Sequence, residues 1–422
     1  MVLTKRKTNI SVQTKNMSTV EVVIILLFTA YYLLPIVSDL IPFTVATLLG
    51  VLYVFYLHQR NPYDGAYALK TVLVIAWIAL MYFLLTDTVT ISEAVSNAAL
   101  KQYFSKFYQQ LMMVFPAFLT FRVAKAANYK QKKWLLGIIS GMILYVIFIT
   151  MRALAINPGI TRNWLNTSEL SGTNIAHYSF VYAIPILIGV LMLTFMHVKR
   201  ISLKILCVGL IALFFLFLLQ AQYTLAFLIS IIGVLIAFLK STRNAAVALL
   251  SILATISIFA FLPNLLNFAA SNIESDQMSL RLEELASFFS SGDASGYNLN
   301  SRLTLYWETI KAFFMSPIWG NRSLGFDGHA TFLTVLSDTG ILGGIPFYLL
   351  YFSMRKHITY FIEDERKHFS IPFIMLLIMG FTNPIHAAFP VGFATWFIAP
   401  LVIMLFTNKP SKEDSQNEQL ES

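Results

Sequence analysis

Long apolar runs constrain this chain more than any other feature. Stretches of roughly 17–22 residues, largely without charge, recur along it, and that is the length a helix needs to cross a ~30 Å hydrocarbon layer. Of the 422 residues, 57% are hydrophobic and 12% charged, against about 25% charged in a soluble domain. Mean hydropathy is +0.69. The expected fold is therefore an all-α polytopic membrane protein, and the net charge of +9 is not read as a nucleic-acid footprint.

About twelve spans are expected, near 20–37, 41–58, 69–86, 103–121, 134–151, 175–197, 202–219, 222–239, 244–262, 331–352, 370–387 and 391–407. Gln109, Gln110 and Pro116 interrupt the fourth. The spans divide the chain into an N-terminal segment (1–19), helices one to nine (20–262), a loop with short helices (263–330), helices ten to twelve (331–407) and a tail (408–422). With the N-terminus inside, the inner segments hold about three quarters of the 30 Lys and Arg residues, and flipping the chain would reverse that ratio. Both termini are thus expected in the cytoplasm and the 263–330 loop outside. The first apolar run is bulky and aromatic, with no small-residue cleavage site behind it. It is expected to be a retained helix rather than a signal peptide. The polar tail is expected to be disordered. Cys207 is the one cysteine, so no disulfide forms within the chain.

Chemistry-bearing residues gather in the large loop. Met278, Leu282, Leu285 and Phe289 recur at helical spacing. A second helix is expected over 302–315, with Ser301 as N-cap and Leu303, Tyr306, Trp307, Ile310 and Phe314 as an apolar stripe. Arg302 would then occupy the first helical position, where a cation opposes the helix dipole unless an anion binds between it and the free N–H groups. A solvated or salt-bridged arginine is the alternative. Arg281 and Arg322 share the loop, and Arg152 and Arg162 follow the fifth span. Guanidinium forks suit phosphate oxygens. His329 stands where the loop re-enters the membrane, with Asp327 close by and an ordinary pKa suited to general-base work. His177 and Asn174 open the sixth span, and Asn383 and His386 end the eleventh, all on the same side. Asp338 is a carboxylate inside the tenth span, expensive there without a partner. Gly340, Gly343 and Gly344 permit close helix packing. No cluster has metal-ligand spacing and no nucleotide-binding fingerprint occurs, so no metal and no cofactor is expected.

The run from Asn300-Ser301-Arg302 through Trp307, Pro317, Gly320 and His329, then nine residues after Ala330 to Gly340 and Gly343, resembles the O-antigen ligase and O-antigen/capsular polysaccharide polymerase family, most of all the Gram-positive surface-polysaccharide polymerases. The chain departs from it in two places. Ala330 stands where the family has a small polar residue, and Gln222 stands where it often has an arginine. The resemblance implies a metal-independent, inverting glycosyltransferase of the bacterial cytoplasmic membrane. Its substrate would be an undecaprenyl-pyrophosphate-linked oligosaccharide. His329 would be the base. Arg302 would bind pyrophosphate, with Arg281 or Arg152 supplying the missing arginine and Gln222 able to hydrogen-bond from its place, supported by Asp327, Trp307, Asp338, Gly340 and Gly343. The implied partners are the bilayer, a flippase and a chain-length regulator. Polymerase is the leading expectation, a ligase moving finished glycan to another acceptor the second, and a lipid-linked-sugar transporter the third.

Overall fold

A computed structural model describes residues 17–84, 97–157, 160–161, 172–241, 297–321, 330–362, 366–385 and 388–407, with scattered positions between 257 and 290. The described residues are helical, with no strand among them. In chain order the helices are α1 (Thr19–Leu33), α2 (Pro35–Leu40), α3 (Phe43–Arg60), α4 (Pro62–Leu84), α5 (Asn97–Val114), α6 (Pro116–Ala126), α7 (Tyr129–Ile156), α8 (Tyr178–Val181), α9 (Ile184–His197), α10 (Ile201–Gln220), α11 (Thr224–Ser241), α12 (Tyr297–Met315), α13 (Thr331–Phe361), α14 (Arg366–Thr382), α15 (Phe389–Phe393) and, after a π-turn over Ala394–Ile398, α16 (Ala399–Thr407).

Local sequence explains the ends. Ser18 and Glu21 close a reciprocal capping box on α1, and Asn128 and Gln131 close another on α7. Leu34 is extended because Pro35 follows it, so the first expected span is broken into α1 and α2. Pro116 likewise divides the fourth into α5 and α6 at Phe115. The tenth runs on to Phe361, and the sixth begins at Tyr178, leaving His177 outside the helix. The ninth lies almost wholly outside the described residues.

Among the described residues, five stretches are long and apolar enough to cross a membrane: Pro62–Tyr82, Tyr129–Ile156, Tyr178–His197, Ile201–Gln220 and Thr331–Phe361. Thr19–Leu33, Leu225–Lys240, His368–Thr382 and Phe389–Leu405 are shorter apolar helices. The molecule is a helical membrane protein. Its core is aromatic: Phe115, Phe118, Phe121, Phe393, Phe397 and Trp396 are all essentially inaccessible. The π-turn frees the Trp396 carbonyl, which the buried Thr120 hydroxyl satisfies.

Ion pairs mark one end of the bundle. Arg122 contacts Glu21 at 2.6 Å and Lys125 contacts Asp64 at 2.6 Å, with His357 3.5 Å from the same Asp64. Both carboxylates are buried, which requires partners of this kind. His357 lies near the end of α13, ~39 Å from Thr331 at 1.5 Å per residue. The candidate site gathers at the Thr331 end.

A candidate site on three carbonyls at the end of α14

Helix α14 stops because Pro384 cannot continue it, and this leaves its last carbonyls without intrahelical partners. Three different elements satisfy the carbonyl of Thr382, the last residue of α14, and those of Asn383 and Pro384 just beyond it. The Tyr306 hydroxyl of α12 donates to the Thr382 carbonyl at 2.8 Å. The Thr331 N–H and hydroxyl, at the start of α13, donate to the Asn383 carbonyl at 3.1 and 3.2 Å. The Tyr178 hydroxyl, at the start of α8, donates to the Pro384 carbonyl at 2.9 Å. Each donor adjoins a residue singled out in the sequence. Arg302 is four positions, one helical turn, before Tyr306; His329 is two positions before Thr331; His177 immediately precedes Tyr178. Asn383 is itself buried, and its Oδ1 accepts no hydrogen bond from the described residues. A buried acceptor of that kind suits a hydroxyl donor on a ligand.

Arg152 and the turn between α10 and α11 join the same end. The Gln220 side chain donates to the Met151 carbonyl at 3.1 Å, and the Tyr223 hydroxyl donates to the Thr161 carbonyl at 2.8 Å. Tyr223 packs on Tyr182 and Tyr178, with ring centroids 5.7 and 6.4 Å apart. Gln222 is buried and holds a left-handed φ of 59°, a conformation that strains a residue with a Cβ. Arg152 is exposed on α7.

The tenth span is not a continuous helix. Gly340 has φ 57° and ψ −157°, a region essentially reserved for glycine. In an unbroken helix the Ile341 N–H would bond to the Ser337 carbonyl. Here the segment after α12 takes both places. Asn321 N–H donates to Ser337 at 2.7 Å, and Ile341 N–H donates to the Pro317 carbonyl at 2.8 Å. Leu342 N–H reaches the Ile318 carbonyl at 3.3 Å. Two glycines allow the crossing: a Cβ on Gly320 would lie 2.4 Å from the Asp338 carbonyl carbon, and one on Gly340 would lie 2.3 Å from the Ile318 oxygen. Pro346 lacks the N–H that Leu342 would otherwise receive, and the Trp77 indole N–H fills that gap at 3.1 Å. Asp338 is half-buried beside the break.

Two expectations need correction. Helix α12 begins at Tyr297, so Ser301 is not its cap and Arg302 is not its first residue. The free N–H groups belong to the first four residues, a turn or so earlier, and the dipole argument for an anion at Arg302 no longer holds. Of the expected apolar stripe, Leu303, Trp307 and Phe314 point away from the protein, with Trp307 58% and Phe314 72% exposed, while Tyr306 and Ile310 are half-buried beside the buried Thr309 and Ala312. Gly343 packs against the Thr339 side chain of its own helix. Leu282 and Ala286 are buried on the helical positions described before α12. His329, Asp327, Arg281, Arg162, Arg322 and His386 lie outside the described residues, as do the side chain of Arg302 and the expected tail. No group of three metal-ligating side chains occurs among the described residues.

Compared with known proteins, the chain matches no family model and no curated protein.

The structure adds Thr331, Tyr178 and Tyr306 to the site as the groups that dock its elements. Pro384 was the sequence signal for the freed carbonyls, but their partners are distant in the chain. Tyr306→Phe is expected to lower stability by about 1 kcal/mol and to release α12 from α14, measured as a lower melting temperature of the purified protein.

His177 is half-buried. Burial pushes its pKa below the ordinary 6.5, and the Asp39 carboxylate opposes that shift only in part. The unfolded chain therefore binds more protons than the folded one below pH 6.5. Stability is full above that pH and falls as pH drops toward the folded-state pKa, where the loss levels off. A His177→Asn variant should lose this acid-side slope, read from melting temperatures taken between about pH 5 and 8.

Proposed function

We propose that the chain is a metal-independent glycosyltransferase of the bacterial cytoplasmic membrane. It joins oligosaccharide repeats carried on undecaprenyl pyrophosphate into a surface polysaccharide at the outer face. Both termini face the cytoplasm in this reading, and the remaining expected spans complete the bundle. The observation that carries it is the docking of three elements on residues 382–384: the helix with Arg302, the segment that follows His329, and the segment that follows His177. Arg302, with Arg281 and Arg152, stabilises charge gathering on the departing diphosphate, the electrostatic contribution that usually dominates catalysis. His329 takes the proton from the attacking sugar hydroxyl. The exposed Leu303, Trp307 and Phe314 offer an apolar face to the lipid portion of the substrate.

The broken α13 favours a second reading, because transporters bind substrates at the ends of discontinuous helices. Against it, the freed N–H groups of Ile341 and Leu342 are bonded to Pro317 and Ile318 and are not offered to a cavity. The test is purified protein in nanodiscs with a synthetic lipid-linked repeat and chelator. A ladder of products is the expected result. A single product transferred to another acceptor indicates a ligase, and movement of intact substrate without a new glycosidic bond indicates a transporter.

A further inference from the structure

At the opposite, ion-paired end of the bundle, two cations meet the same stretch of α14. Lys240 is in the last turn of α11, and its Nζ donates to the Ser370 hydroxyl of α14. Arg355, toward the end of α13, lays its guanidinium over Phe373, one turn beyond Ser370, at 5.1 Å from the ring centroid. Ser370 and Phe373 are three positions apart on α14, so the two cations engage adjacent turns of one helix. Among the described residues no carboxylate lies within ion-pair distance of either, although Arg122 and Lys125 at this end both have one. The Arg355 Nε is buried and makes no hydrogen bond among the described residues. Ser370 sits near the start of α14, whose dipole adds further positive potential. Three helices therefore bring two positive charges and a hydroxyl to one end of α14.

We propose that Lys240, Arg355 and Ser370 form a binding site for a phosphate ester, distinct from the site at the end of α14. An arginine fork and a lysine with a neighbouring hydroxyl match tetrahedral phosphate oxygens. Basic pockets between membrane helices recognise anionic lipid headgroups by the same chemistry. The position at helix ends suits a headgroup, and free phosphate presents the same oxygens.

The experiment measures the melting temperature of delipidated protein titrated with phosphatidylglycerol, with phosphatidylcholine, or with inorganic phosphate against chloride at equal ionic strength. Saturable stabilisation by phosphatidylglycerol alone assigns the site to a lipid headgroup. Stabilisation by inorganic phosphate as well assigns it to phosphate from either source. In K240Q, whose native side chain is exposed and whose fold should persist, the apparent affinity should fall roughly fivefold, and in K240Q/R355Q roughly thirtyfold. K199Q/K356Q removes the same charge from exposed neighbours and should bind like the wild type. Absence of saturable stabilisation, or equal affinity in K240Q, K240Q/R355Q and K199Q/K356Q, would overturn the assignment.

Discussion

Replacing His329 with alanine is expected to abolish long-chain product while the protein remains folded and at normal abundance. A positioned general base contributes on the order of 10²–10⁴-fold to rate, so a ladder of many repeats would collapse to unreacted lipid-linked units. Arg302→Ala should be as severe, because removing one donor to a developing anion costs about 10²–10³-fold. Arg302→Lys should recover little, since a point charge does not reproduce the two-pronged contact. Lys311→Ala is the control. Lys311 is exposed, and its ion pair with Glu308 at 2.9 Å and its contact with the Trp307 ring at 5.7 Å are both on its own helix; surface ion pairs of this kind contribute about 0–1 kcal/mol. Gel analysis of the polysaccharide, with membrane abundance measured in parallel, decides the matter. Normal chain length in His329→Ala or Arg302→Ala would remove the catalytic reading and leave the fold untouched.

The second large effect is expected at the glycine crossing. Alanine at Gly340 meets a backbone conformation that side chains rarely adopt and a Cβ 2.3 Å from the Ile318 oxygen. Backbone strain of about 1–3 kcal/mol adds to overpacking of about 1–3 kcal/mol, and the obstructing atoms are main chain and have no alternative rotamer. Gly320→Ala meets the Asp338 main chain in the same way. Gly137 on α7 provides the comparison, since a Cβ there has no neighbour within 4 Å, and alanine should be neutral or stabilising by up to about 1 kcal/mol. Melting temperatures of the three purified variants should separate by many degrees. Equal values would mean that the segment 317–321 does not occupy the break in α13.

The helical, membrane-spanning character was legible because hydrophobic run length is a property of consecutive residues. Of the local detail, the interruption at Pro116 was legible for the same reason, whereas the eleventh span was expected to run through Pro384 to 387 and its helix stops at Thr382. The start of α12 was not. Ser301 has the chemistry of a cap, yet the helix continues through it to Tyr297, and Trp307, apolar by sequence, faces outward. In a membrane, an apolar stripe can turn to lipid as readily as to protein, so periodicity finds the face without saying what covers it. The glycines of α13 suggested close packing, but the partner of Gly340 is the main chain after α12, a contact no spacing rule encodes, while Gly343 and Gly344 meet side chains of their own helix. The meeting of α8, α12 and α13 at residues 382–384 likewise depends on hydroxyls 52 to 206 positions away.

The exchange of backbone bonds between residues 317–321 and α13 also bears on how the chain is made. The earlier segment leaves the ribosome first, and the later one must cross the bilayer before its Ile341 and Leu342 amides can find Pro317 and Ile318. Until then α13 enters lipid with an incomplete ladder, which is costly in hydrocarbon. Biogenesis of this span therefore depends on the preceding segment being already delivered to the correct side, so that assembly is ordered by synthesis.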